Sequence, residues 1–404
     1  MWLRVKFGTK KFLLLYILIA GVIYCLCDLY VSYNRISNRP NHGKRNSRIS
    51  IFKSGNESIL KQKIFSLQDK MEENVNIKSN AVLRYGDGTD SLQLAVVVCG
   101  KRLNQTMVSL KSAVALSKSA LHLIIISDDA NRNSLKERLL DWPDSILKRI
   151  SFEIHPITFP EGTENEWKKL FKLCACQRLF LPTILQHIDA LLYIDTDVIF
   201  LRPVEDIWAY FSKMNSSQIA GLSPEHEDFA TGWYNRFARH PYYEPLGVNS
   251  GVMLMNLTRM RKFHWQDYLQ PIYQEYKLKI AWGDQDIINI IFHYHSDKLL
   301  IFPCDWNYRP DHCMYTSVCK SAEENGVAIV HGNRGVFVNN KQPAFRAIYS
   351  AMESYELGTN LIEYFLKPLQ EKLHKTLTTN CGKLHFIFTK AIEKLSKEPI
   401  RLYR

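Results

Sequence analysis

From Leu94 onward, short apolar runs alternate with amphipathic stretches, and few architectures accept that rhythm. "LAVVVC" (94 to 99), "LHLIIIS" (121 to 127) and "SFEIHPITF" (151 to 159) read as strands. Between and after them, "NQTMVSLKSAVALSK" (104 to 118), "SLKERLLDW" (134 to 142) and "QRLFLPTILQHI" (177 to 188, interrupted by Pro182) read as helices. Strands separated by helices pair in parallel, so the fold class expected is α/β with a mostly parallel, doubly wound central sheet. Such sheets bind ligands beyond the carboxyl ends of their strands. After Pro203 the order loosens: "GVMLMNL" (251 to 257) reads as a strand, "DQDIINIIF" (284 to 292) as a helix, and "VAIVH" (327 to 331) as a short strand.

The stretch "LLYIDTDVIFLRP" (191 to 203) sets Asp195 and Asp197 one residue apart inside a run that otherwise reads as a buried strand. Side chains at i and i+2 leave an extended backbone on the same side, so the two carboxylates converge at the strand end and repel. Solvent, a cationic side chain or a metal ion has to compensate them. A divalent cation that prefers oxygen answers the need most economically, and a solvated pair at a strand end is the plainer alternative. A third ligand is expected from His331, which ends an apolar strand and is followed by Gly-Asn-Arg-Gly. Two carboxylates, an imidazole and open positions suit Mn²⁺, and Mg²⁺ less well, chelated by a diphosphate, with Arg334 placed to pair with phosphate. Asp284 and Asp286 form a second acidic pair, which in a helix's first turn also serves the helix dipole.

The 404 residues suffice for one large α/β domain with appendages. Residues 1 to 60 hold ten of the Lys and Arg against Asp28 and Glu57, so the formal +12 leaves only +4 for everything beyond. Nucleic-acid binding is not called for. Arg4, Lys6, Lys10 and Lys11 precede an apolar stretch that reaches spanning length over residues 12 to 31. Basic residues on that flank hold it in the cytoplasm, which describes a single-pass type II signal-anchor; a cleaved signal peptide has a shorter apolar region and a small-residue cleavage site. The expected organisation is a cytoplasmic tail (1 to 11), anchor (12 to 31), lumenal stem (32 to 91), catalytic domain (92 to 360) and C-terminal helical extension (361 to 404). Placement in the lumen of the endoplasmic reticulum or Golgi accords with four glycosylation sequons, at Asn56, Asn104, Asn215 and Asn256. Seven cysteines follow the anchor; Cys304, Cys313 and Cys319 are close enough for a local bridge, and the odd count leaves at least one free or paired between molecules, with Cys176 the best candidate for an unpaired one.

In order, "AVVVCG", "YIDTDVIFLRP", "NSGVMLMN" (249 to 256), "WGDQDIIN" (282 to 289) and "HGNRG" (331 to 335) resemble glycosyltransferase family 8. "EWKKLFK", "CQRLFLPTIL", "GWYNRFARHPYY", "FPCDWNYRPDHC" and "KQPAFRAIY" resemble its glucoside xylosyltransferase branch. The resemblance implies a GT-A nucleotide-sugar fold and a retaining enzyme that moves xylose from UDP-xylose, in an α1,3 linkage, onto glucose O-linked to EGF-like repeats of Notch-type proteins. It implies Asp195, Asp197 and His331 on Mn²⁺, and Val98, Cys99 and Gly100 along the uracil. It places Arg178, Asn249, Asp284 and Gln285 at the transferred sugar. Family members often carry Gly-x-x-Lys-Pro-Trp after the His, whereas "HGNRGVF" offers Arg334 here. An aspartyl-nucleophile phosphohydrolase also begins with an apolar run and Asp-x-Asp, but normally at the first strand of its fold.

Overall fold

The computed structural model describes residues 82–86, 91–170 and 174–397, so the expected tail, the anchor and most of the stem lie outside the described residues. Among the described residues no helix is long and apolar enough to cross a membrane. Ten strands form among the described residues: β1 (Leu83–Tyr85), β2 (Leu92–Val98), β3 (Leu121–Ser127), β4 (Ile150–Pro156), β5 (Ala190–Ile194), β6 (Val198–Phe200), β7 (Ala220–Pro224), β8 (Val248–Asn256), β9 (Leu299–Ile301) and β10 (Ile329–His331). Eight of them make one sheet in the order β1-β4-β3-β2-β5-β8-β7-β9, and β10 pairs with β6 in a separate ribbon.

The block β4-β3-β2-β5 is parallel, as the alternating pattern requires. Beyond β5 the direction reverses, because β8 runs antiparallel to both β5 and β7. Leu83–Tyr85, within the stretch assigned to the stem, pairs antiparallel with β4 and closes that edge of the sheet. Along β2, Leu94, Val96 and Val98 face one apolar core and Ala95 and Val97 the other, the period-two alternation of a strand covered on both sides.

Nine helices matter for the site and its support: α1 (Leu103–Leu116), α2 (Asp129–Leu140), α3 (Gln177–Ile184), α4 (Trp233–Phe237), α5 (Trp265–Tyr276), α6 (Asp284–Tyr294), α7 (Pro343–Ser354), α8 (Lys367–His374) and α9 (His385–Lys397). α2 begins five residues before the expected segment because Asp128 caps it, its carboxylate accepting from the Asn131 amide at 3.2 Å. α3 ends at Ile184 and not at 188. Pro182 removes a donor inside it, and around the helix end Arg261 donates to the carbonyls of Pro182, Leu185 and Ile188 at 3.1–3.2 Å. The C-terminal helices are an integral part of the body, since Leu369, Leu373, Ile387, Phe388 and Ile392 belong to the core that packs against α1 and α7.

Cys304–Cys319 is the expected local bridge. Cys99–Cys174 and Cys313–Cys381 span 75 and 68 residues, and among the described residues Cys176 is the buried free thiol. Cys313–Cys381 ties the C-terminal helices to the segment before β10. Replacing both of its cysteines by Ser is expected to lower the unfolding free energy by about 2–4 kcal/mol, read as a shifted urea midpoint, because the released loop gains entropy when unfolded.

Candidate metal and nucleotide-sugar site

β5 ends at Ile194, and its last carboxylates sit in the turn into β6. β6 lies antiparallel to β10 with His331 opposite Val198, which delivers a histidine more than 130 residues downstream to the side of Asp197. Two backbone bonds clamp the turn: the Asp195 amide donates to Gly251 O at 2.8 Å, and the Gly332 amide donates to Asp197 O at 2.7 Å. Oxygen or nitrogen atoms of Asp195, Asp197 and His331 then lie within 4.8 Å of one another. His331 Nε2 is 3.7 Å from Asp195 Oδ2 and 3.5 Å from Asp197 Oδ1. Two carboxylates and one imidazole directed at one point are a donor set for a divalent cation such as Mn²⁺.

The imidazole is held by a chain of amides. His331 Nδ1 bonds Asn307 Oδ1 at 2.9 Å, which fixes the proton there and leaves Nε2 as a lone pair toward the carboxylates. Asn307 Nδ2 donates to Asn249 Oδ1 at 2.9 Å, and Asn249 Nδ2 donates to Glu225 Oε2 at 3.0 Å. Gly251 completes the seat: a Cβ there would fall within the ring of His331. Asn249 was expected at the transferred sugar; it lines the cavity and also works as a link in this chain.

Arg178 is the opposite pole. Buried at 5% exposure on α3, its guanidinium sits 2.8 Å from Asp195 Oδ1 and 2.5 Å from Asp284 Oδ2, donates to Ser250 O, and lies over the Tyr193 ring at 4.5 Å. Burial works against its charge, but the two carboxylates prevail and raise its pKa, so it stays cationic. Asp195 is thereby divided: Oδ1 serves Arg178 and the Tyr193 hydroxyl, and Oδ2 faces His331. Burial pushes the Asp284 carboxyl up to about 6, with Arg178 opposing. Its neighbour Gln285 accepts from the Ser250 amide at 3.1 Å and donates to the Tyr234 hydroxyl at 3.2 Å. Asp286, fully buried, accepts from Tyr234 Oη at 2.8 Å and from the amides of Ala281 and Trp282, both at 2.7 Å.

Asp195, Asp197, His331, Arg178, Asn249, Asp284 and Gln285 border a cavity of about 1280 Å³ at the carboxyl end of β2 and β5. Cys99 and Gly100 line it, but the side chain of Val98 turns into the opposite core and Val97 takes its place, as strand alternation demands. Gly100 has φ +59 and donates its amide to Asp128 Oδ2 at 2.7 Å. Arg334 lines the cavity and is ion-paired with Asp311. Arg102, which sequence reasoning passed over, stands 3.7 Å from Asp197 Oδ2, half-exposed to the same cavity. Glu225 and Asn307 were missed as well. Only "FPCDWNYRPDHC", where Asn307 lies inside a matched motif, carried any signal.

The model of glycosyl transferase family 8 matches residues 49–334. Glucoside xylosyltransferase 1 of Rattus norvegicus is 52% identical over 334 residues, covering 79% of this chain and 76% of the relative. Glucoside xylosyltransferase 1 of Homo sapiens is 52% identical over 316 residues, covering 76% of this chain and 71% of the relative. Glucoside xylosyltransferase 2 of Xenopus laevis is 51% identical over 317 residues, covering 76% and 75%.

The amide chain behind His331 is directly testable. Asn307→Ala is expected to weaken Mn²⁺ binding by roughly 10–100-fold, measured by loss of the free-ion signal in paramagnetic resonance titrations, because the imidazole loses its orienting partner. Gly251→Ala should act in the same direction by displacing the ring.

Proposed function

The chain belongs to glycosyl transferase family 8, and from that premise we propose that it is a retaining xylosyltransferase that moves xylose from UDP-xylose, in an α1,3 linkage, onto glucose O-linked to EGF-like repeats of Notch-type proteins. The observation that carries the reading is the convergence of Asp195, Asp197 and His331 beside Arg178, in a chain half identical to glucoside xylosyltransferases. Asp195, Asp197 and His331 would hold Mn²⁺, whose chemistry when bound is to neutralise charge on the departing diphosphate. Arg102 and Arg334, both on the cavity wall, add positive charge where the phosphates would lie.

Retention is compatible with double displacement through a carboxylate, but the second acidic pair is poorly suited to that work. Asp284 is buried and paired with Arg178, and Asp286 is surrounded by Tyr234 and two amide donors. We therefore favour same-face substitution. The bond from the anomeric carbon to the phosphate oxygen breaks with its electron pair going to UDP, the acceptor hydroxyl oxygen bonds that carbon, and its proton passes to the departing phosphate oxygen. In this reaction Arg178, Asn249, Asp284 and Gln285 bind and orient the sugar. The three disulfides among the described residues support an oxidising compartment, consistent with a type II anchor over residues 12 to 31 and a catalytic body in the lumen of the endoplasmic reticulum or Golgi.

The test is to supply the full chain with Mn²⁺, an O-glucosylated repeat and a panel of UDP-sugars. UDP-xylose is expected to be the preferred donor. Asp197→Ala should lower kcat/KM by roughly 100-fold or more, about 2.7 kcal/mol, with the melting temperature retained. Activity unchanged by that substitution would remove the metal role.

A further inference from the structure

Resting on the reading that the acceptor is a glucose carried on a polypeptide, we infer that Trp282 and Trp233 form the platform on which the acceptor glucose stacks, and that Phe237 receives the polypeptide that carries it. The cavity is polar along its metal side, yet Trp233, Phe237, Trp282 and Tyr315 all line it, with Phe237, Trp282 and Tyr315 at 53%, 37% and 77% exposure. Large apolar groups gathered across a cavity from its charged side mark a contact surface. Trp282 packs edge-on against Trp233 with centroids 5.5 Å apart, and Trp233 meets Phe237 at 6.2 Å. Three rings thus lead outward from the residues beside the reacting centre.

The inner end of that row is held with unusual firmness. Trp282 stands two residues before Asp284, across Gly283, whose φ of +62 turns the chain sharply into α6. Asp286, inside the first turn of α6, accepts the amides of Ala281 and Trp282, and through Tyr234 it also holds the Gln285 amide. One buried network therefore sets both the residue expected at the transferred sugar and the ring at the cavity mouth. A pyranose has one face of C–H groups and a rim of hydroxyls. An aromatic ring accepts the first, and the surrounding polar wall and water accept the second. A lone glucose would cover Trp282 and leave Phe237 exposed. A polypeptide attached to it extends over Phe237, where Arg236 already lies against the ring at 4.7 Å. The competing occupant of Trp282 is the uracil of the donor.

The experiment measures initial rates with the full chain, an O-glucosylated EGF-like repeat as acceptor, and the same repeat without glucose as competitor. Trp282→Ala is expected to raise the acceptor KM roughly tenfold or more while leaving the UDP-xylose KM, the melting temperature and the competitor's inhibition constant unchanged. Trp282→Phe should recover most of the loss. Phe237→Ala should weaken the competitor and the acceptor together. An unchanged acceptor KM in Trp282→Ala, or a UDP-xylose KM that rises in step with it, overturns the platform and in the second case assigns the ring to uracil. Lack of inhibition by the unglucosylated repeat overturns the role of Phe237. A wild-type chain that transfers nothing to the glucosylated repeat overturns the functional reading itself, and the platform with it.

Discussion

A buried guanidinium between two carboxylates is the interaction on which the site depends. Arg178, only 5% exposed, would be costly as a lone charge, and so would Asp284 beside it; together with Asp195 they satisfy one another. The three residues come from α3, the turn that follows β5, and α6, and the same guanidinium donates to Ser250 O on β8, so one charge pins four segments. Removing it would leave two uncompensated acids at the mouth of the sheet. The Cys99–Cys174 bridge, four residues before Arg178, helps fix the start of α3 relative to β2.

The pairing also determines what the remaining acid can do. Because Oδ1 of Asp195 is engaged by Arg178 and Tyr193, its Oδ2 is directed with Asp197 and His331 to a common point. His331 is rigid through Asn307, Asn249 and Glu225, and Gly251 leaves room for its ring. The architecture is one of preorganisation, in which donors are oriented before a cation or a diphosphate arrives.

Much of this was legible in the sequence because local period reports local structure. The parallel strands β2 to β5 follow from apolar runs spaced by amphipathic helices, and Asp195 with Asp197 follow from their place at a strand end. His331 was legible only as a candidate; what brings it to the acids is the β6–β10 pairing, a contact between distant segments that no local pattern encodes. For the same reason the reversal at β8 and the bridges across 75 and 68 residues could not be read. Val98 and Val97 differ only in strand phase, which moves the lining residue by one. Asp286 looked like helix-dipole decoration and proves to be a buried strut, since four groups that bond it or stand beside it, Tyr234, His240 and the amides of 281 and 282, come from outside its helix.

The most direct measurement of the central claim is calorimetric titration of UDP into the full chain with and without Mn²⁺, for the wild type and for His331→Ala. The account requires UDP binding that depends on Mn²⁺ in the wild type and weakens at least tenfold in His331→Ala. Equal Mn²⁺-dependent affinity in the two proteins would contradict it.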